Sequence, residues 1–161
     1  MVKAALTTRR VLHCDSELAK YWKDASNEAM SETSGRVIAH LADDLLEVLL
    51  FKDEFELEGW WVEGGEAFQQ AFLSDAQTAT SGRSLKDFDL LGRLFKHRLS
   101  YMIYTQAFES LLNEVKQVVY EKLLDALSNG ADHPLSGHLK PKECQRILTI
   151  LLETKDNLPI S

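Results

Sequence analysis

The sequence predicts an all-α fold: a single domain of about six helices packed around one buried helix over residues 99–112. Three observations support this prediction. Apolar residues recur with the 3.6-residue period of a helix through most of the chain, no segment sustains the two-residue alternation of a strand, and large apolar side chains are densest between Asp87 and Leu112. Arranged on a helix, the apolar residues of Leu99–Leu112 cover roughly half of its circumference, which is typical of a helix surrounded by others.

Length and composition agree with one helical domain over residues 1–161. A hydrophobic share of 45% and a charged share of 27% are ordinary for a globular protein of this size. The net charge of −7 argues against nucleic acid as the main partner, because binding phosphates requires a basic surface. The chain has no run of 18 apolar residues, so no membrane span is predicted, and it begins with no signal-peptide pattern. Neither the compartment nor the oligomeric state follows from these features.

Capping signals and apolar periodicity place the other elements. The remaining helices are predicted at about Ser16–Met30, Arg36–Phe51, Glu66–Ser74, Leu85–Phe95, Glu114–Leu127 and Lys142–Lys155. Val48 falls on the inward stripe of the second of these. Gly92 weakens the case for the fourth, because a mid-helix glycine costs about 1 kcal/mol relative to alanine. Gly130 and Pro141 stand where a left-handed helix end and a first helical turn favour them. Polar stretches at 31–35 and 75–83 are predicted loops.

An acidic segment over residues 41–66 holds nine carboxylates and a single basic residue, Lys52. Its first part, on a predicted helix, brings His40, Asp43, Asp44 and Glu47 within about 100° of one another. Imidazole and carboxylate oxygen are ligands for several divalent metals, so this face is a candidate metal-binding or hydrolytic site. The simpler interpretation, which we favour, is a solvated helix face. No cofactor is therefore predicted.

The rest of the acidic segment is a predicted long loop, Lys52–Glu66, that contains adjacent tryptophans. Exposed tryptophan is enriched at binding hot spots, and concentrated negative charge suits a basic partner. We therefore expect Trp60, Trp61, Glu56 and Glu58 to be candidate partner-binding residues. The alternative is that both indoles cover the open end of the helical bundle. No catalytic residue is predicted here.

Two smaller groups of residues could also carry chemistry. The segment Arg93–Arg98 has four basic groups in six residues and could bind a phosphate or an acidic partner; the favoured alternative is a helix C-terminus whose dipole attracts cations. His13 and Cys14 are adjacent, but neighbours in sequence usually point in different directions, so a structural role is favoured. Cys144 lies on an apolar stripe and is predicted to be a core residue.

The motifs FDLLGRLF, SYMIY and ILLETKDNLP, with TTRRVLHCDSELA near the N-terminus, resemble the C-terminal end of a group of longer uncharacterised bacterial proteins. The chain departs from their pattern at His97-Arg98, where an aromatic residue and proline are usual, and at Lys140, where a serine is usual. The resemblance implies a C-terminal module of a larger protein, whose longer relatives include exported proteins with haem-attachment motifs upstream. It brings no established activity. We therefore expect a non-catalytic accessory or interaction module that contacts a basic protein or other domains of its parent.

Overall fold

The computed structural model describes residues 1–21, 32–57, 65–156 and 158–159. Over these ranges the chain is mainly helical, and its extended pairings are isolated bridges, so the predicted all-α fold is confirmed. Its α-helices are α1 (Val2–Tyr21), α2 (Glu32–Leu49), α3 (Glu66–Leu73), α4 (Gln106–Glu109), α5 (Asn113–Asn129) and α6 (Pro141–Thr154). Short 3-10 helices span Tyr101–Tyr104 and Gly130–Asp132. Among these helices, none combines the length and apolar character needed to cross a membrane.

Helix α5 is the framework of the core, because it packs against both α2 and α6, while α1 packs against α2. Each of the three framework helices buries one apolar stripe with helical spacing. The stripes include Ile38, Ala42, Leu46 and Leu49 in α2; Val115, Val119, Leu123 and Ala126 in α5; and Cys144, Ile147 and Leu151 in α6. Helices α5 and α6 begin and end within two residues of the predicted bounds, and α2 ends two residues before its predicted end.

The N-terminal half departs further from the prediction. Helix α1 begins at Val2, well before the expected start at Ser16, and the expected continuation to Met30 lies outside the described residues. Residues 32–35, predicted to be a polar break, form the first turn of α2. The prediction of a loop at 32–35 is wrong because Glu32 and its polar neighbours suit a helix start. Polar side chains there can accept hydrogen bonds from the free backbone N–H groups.

Residues 99–112 contribute buried side chains to the core, but they do not form the single helix that their apolar pattern predicts. A 3-10 turn over Tyr101–Tyr104 and the single turn of α4 are separated by Thr105, whose backbone is extended at φ −77° and ψ 153°. The Thr105 hydroxyl accepts the Phe108 N–H at 3.4 Å, and the Ser100 hydroxyl accepts the Met102 N–H at 3.3 Å. These side-chain caps compete with helical bonding and divide the segment. The prediction of burial is right, since Leu99, Ile103, Phe108 and Leu111 are all buried.

The predicted helix over Leu85–Phe95 is also wrong, and the segment instead forms a tight antiparallel turn. Phe88 and Phe95 pair as a β-bridge, and the N–H of Leu90 donates to the Arg93 carbonyl at 2.8 Å. Leu90 has a φ of 60°, a left-handed conformation that interrupts any helix. Aromatic side chains hold the turn in place by ring contacts with centroids about 5–6 Å apart. The cluster consists of Phe51, Phe72, Phe88, Phe95 and Tyr101.

Helix α6 supplies polar partners to this helix-poor part of the chain. The Glu153 carboxylate accepts both the N–H and the hydroxyl of Thr80, each at 2.7 Å. The Tyr104 hydroxyl is hydrogen-bonded to the Thr154 hydroxyl at 2.6 Å, and Lys155 Nζ donates to the Ile103 carbonyl at 3.0 Å. Helix α6 and Lys155, the residue that follows it, thus satisfy backbone groups of Thr80 and Ile103 that regular secondary structure would otherwise satisfy.

Replacing Ile103 with alanine tests whether the segment is part of the core although it is not a helix. We expect Ile103→Ala to lower the free energy of unfolding by about 2–5 kcal/mol, because the side chain is fully buried and its removal leaves a cavity. Chemical denaturation measures the change. The control is Val48→Ala, which removes an exposed β-branched side chain and should change stability by less than about 0.5 kcal/mol. Equal effects of the two substitutions would contradict the placement of Ile103.

Candidate functional site

Helix α2 ends in a hydrogen-bonded turn that leads into residues 51–56. The Lys52 N–H donates to the Glu47 carbonyl at 3.0 Å and the Phe51 N–H to the Val48 carbonyl at 3.2 Å, the bonding pattern of a Schellman helix end. Phe51 has a φ of 51°, where glycine is usual, so the backbone is strained there. The Phe51 ring stacks on Phe95 with centroids 6.0 Å apart, and this contact helps to offset the strain.

Three large apolar side chains are exposed beside this helix end. Val48 is 73% exposed, Phe55 is 72% exposed and Leu91 is 84% exposed. They border two adjoining open cavities of about 760 and 440 Å³, which share Phe51, Lys52 and Glu54 in their walls. We call this region the α2–loop surface, defined by Asp44, Glu47, Val48, residues 51–56 and Leu91. Clustered exposed apolar side chains with a polar rim are typical of an interaction site.

The rim of the α2–loop surface is acidic on the side of α2, whereas the far wall of the larger cavity carries Arg93, Arg98 and Lys140. The surface carries five carboxylates, and its one lysine, Lys52, is hydrogen-bonded to Glu47. Burial raises the pKa of Glu54, although the nearby Arg93, the Leu94 N–H and Arg98 act in the opposite direction. The carboxylates are Asp44, Glu47, Asp53, Glu54 and Glu56. The surface therefore combines negative charge with exposed apolar area.

A buried ion-pair network lies behind the larger cavity. Glu143 of α6 is only 4% exposed, and Arg98 donates to its carboxylate through Nη2 at 2.7 Å, Nε at 3.2 Å and the backbone N–H at 3.2 Å. Arg93 Nη1 adds a contact at 3.4 Å. Burial alone would raise the pKa of Glu143, but the hydrogen bonds and charge of Arg98, with Arg93, outweigh it and lower the pKa. The network fixes two arginines that line the cavity.

The candidate metal ligands of α2 are directed to different partners. Asp43 accepts Lys122 Nζ at 2.6 Å, and Glu47 accepts Lys52 Nζ. His40 Nδ1 lies 3.4 Å from the Asp44 carboxylate, with both side chains exposed. Nowhere in the described ranges do three or more histidine, cysteine, aspartate or glutamate side chains group in a way that could hold a metal ion. Metal binding at this face stays a hypothesis for titration to test.

The structure places the other predicted site residues as follows. Trp60, Trp61 and Glu58 lie outside the described residues, whereas Glu56 is exposed on the α2–loop surface. Cys14 is exposed on α1 and Cys144 is buried in the core, where burial raises the pKa of its thiol.

Sequence reasoning missed Val48 and Leu91 as surface residues. Val48 fits the apolar period of α2, and Leu91 fits a helix that does not form. The alternation of Phe55 with acidic residues was the one available signal.

Comparison of the chain with known protein families, curated proteins and solved structures finds no match in any of the three.

The Glu143 network predicts a specific dependence of stability on pH. We expect Glu143→Gln to lower the free energy of unfolding at pH 7 by about 3–5 kcal/mol, the usual cost of removing one charge from a buried pair. Because the folded pKa of Glu143 lies below its ordinary value of 4.5, its stabilisation is complete above that pH and is lost as pH falls through the folded pKa. The difference between wild type and variant should therefore shrink toward pH 3, as urea denaturation at each pH would show. Glu114→Gln, at an exposed site, is the control, and a difference that does not change with pH would contradict the prediction.

Calorimetric titration tests the metal hypothesis. We expect neither zinc nor manganese to bind at micromolar concentration, because two of the carboxylates are paired with lysines and the His40–Asp44 pair lacks the supporting contacts that orient good ligands. Micromolar binding that disappears in His40→Ala would establish a metal site and contradict this expectation.

Proposed function

We propose that this chain is a non-catalytic interaction module whose α2–loop surface binds a basic, amphipathic segment of a partner protein or of another domain of a larger parent. The observation that carries the proposal is the exposure of Val48, Phe55 and Leu91 together on one acid-rimmed surface. Isolated exposed apolar residues are normal, but a group of them around open cavities favours a binding role.

The chemistry of the surface defines the partner. Its carboxylates would attract a basic segment and raise the rate of association. Its apolar side chains would supply the buried area that holds the complex together, at about 25 cal/mol per Å² removed from water. Trp60 and Trp61 belong to the same segment of the sequence, so they are candidates to extend this apolar area.

The buried Glu143 network suits a structural role rather than acid–base catalysis. The buried Glu143 carboxylate is neutralised by Arg98 and Arg93, and its lowered pKa keeps it ionised at neutral pH. A general acid or base at pH 7 needs a pKa shifted toward neutrality instead. The network is therefore suited to holding the surface in shape.

Two synthetic helical peptides of equal length and identical leucine pattern would test the proposal, one with lysine and one with glutamate on its polar face. We expect the lysine peptide to shift amide resonances of the α2–loop surface in ¹⁵N-labelled protein and the glutamate peptide to have no effect. Phe55→Ser and Leu91→Ser should each weaken binding by about 10- to 100-fold, because each removes apolar burial worth about 1.5–3 kcal/mol. Both side chains are exposed, so folding should be unaffected.

The matched control is Leu152→Ser, which removes a leucine that is 46% exposed on α6, away from the surface. It should leave peptide affinity unchanged. Non-specific attraction to an acidic protein would give resonance shifts scattered over all acidic regions and equal affinities for the three variants. That result would overturn the proposal.

A further inference from the structure

A further cavity of about 350 Å³ lies between residues 83–97 and the exposed side of α6, and it shares Asp89 and Arg93 with the 760 Å³ cavity. It collects basic side chains from distant parts of the sequence, although the whole chain carries a net charge of −7. Four cationic residues line it, Arg83, Arg93, Lys96 and Arg146. A cationic concavity on an acidic protein is a local exception to the overall charge.

Three of these cations are available to a ligand. The side chains of Arg83, Lys96 and Arg146 form no ion pair or hydrogen bond with any residue in the described part of the chain. Of the two carboxylates in the wall, Asp89 pairs with Arg93 at 4.0 Å, whereas Asp87 accepts the Ser84 N–H at 3.1 Å and keeps its charge, so among the described residues three unpaired cations face one unpaired carboxylate. The cavity therefore has unmatched positive charge.

His97 adds a second, independent observation. Its side chain lines the cavity, the residue is only 5% exposed, and its Nδ1 is the one buried side-chain nitrogen or oxygen without a hydrogen-bond partner among the described residues. Buried polar atoms nearly always have partners, because an unmade hydrogen bond carries a free-energy cost. Burial lowers the pKa of His97, so the imidazole is neutral at pH 7 and carries one N–H donor.

The sequence favours another explanation for the basic residues of Arg93–Arg98, namely that they stand at a helix C-terminus. The structure does not support that explanation. Cations at a helix C-terminus would interact with the helix dipole. The segment instead forms a turn and bends with no helix ending in it, so no dipole accounts for its charge.

We propose that this cavity binds the phosphate group of a small molecule, with Arg83, Lys96 and Arg146 as charge partners and His97 as a hydrogen-bond partner. Arginine guanidinium groups match the geometry of phosphate oxygens, and lysine neutralises phosphate as a point charge. The volume suits a phosphate with a small organic substituent, since ligand cavities typically begin at about 300 Å³. This site is independent of the α2–loop surface and of the proposed protein partner.

Titration of the full chain with inorganic phosphate and with glycerol phosphate, at constant ionic strength, tests the proposal. We expect both probes to shift the imidazole resonances of His97 in a saturable way, and the ester to bind more tightly if the cavity accepts the organic part as well. Arg146→Gln and Lys96→Gln should each weaken binding at least about tenfold, the usual effect of losing a charged hydrogen bond. Both side chains are exposed, so these variants should fold normally.

The matched control is Arg10→Gln, which removes the same charge from an exposed position on α1. It should leave phosphate affinity unchanged. Equal weakening by Arg10→Gln, the same response to chloride as to phosphate, or no shift at His97 would overturn the proposal. Tight binding of inorganic phosphate alone would still support the phosphate site and would limit its ligand to the free ion.

Discussion

The buried carboxylate of Glu143 is the constraint around which the helix-poor half of this protein is arranged. An ionised group with 4% exposure is tolerable only when opposite charge and hydrogen bonds replace water. Arg98 meets that need with its side chain and its backbone N–H, so its main chain is fixed against α6 as well as its guanidinium. Arg93, on the same carboxylate, also lines the cavities of about 760 and 350 Å³. The buried Glu143 carboxylate thus positions arginines in the walls of these two cavities.

Apolar periodicity predicted the amphipathic helices that each bury one face. It failed for segment 85–112, where apolar residues are buried without forming a long helix. Helices α2, α5 and α6 each present one stripe to a neighbour, and a 3.6-residue period is the direct result. The segment 85–112 is equally apolar, but its burial comes from aromatic contacts and from α6. Its departures from helix depend on local backbone competition by Ser100 and Thr105 and on the left-handed Leu90, which an apolar pattern does not record.

The candidate sites were harder to predict than the fold, because both are made by residues that are distant in sequence. Leu91 joins Val48 and Phe55 only because the 85–95 segment turns back along the end of α2, where the Leu57 N–H donates to the Gly92 carbonyl at 2.9 Å. Arg146 meets His97 only because Glu143, one turn earlier in α6, is bonded to Arg98. Charge runs in the sequence indicate where acidic and basic residues are dense, but they do not indicate which charges remain unpaired in the fold.

The polar contacts of α6 also determine the order in which the chain can fold. They join residues 45 to 73 positions apart, so each closes a long loop, and such non-local contacts slow folding. The segment from Thr80 to Glu109 has little regular hydrogen bonding of its own and cannot reach its final conformation before α6 has been synthesised. Until that helix emerges from the ribosome, Thr80 and Arg98 lack the carboxylates of Glu153 and Glu143 that hold the segment in place. We therefore expect the nascent chain to be most open to aggregation in the interval between synthesis of residue 112 and completion of α6.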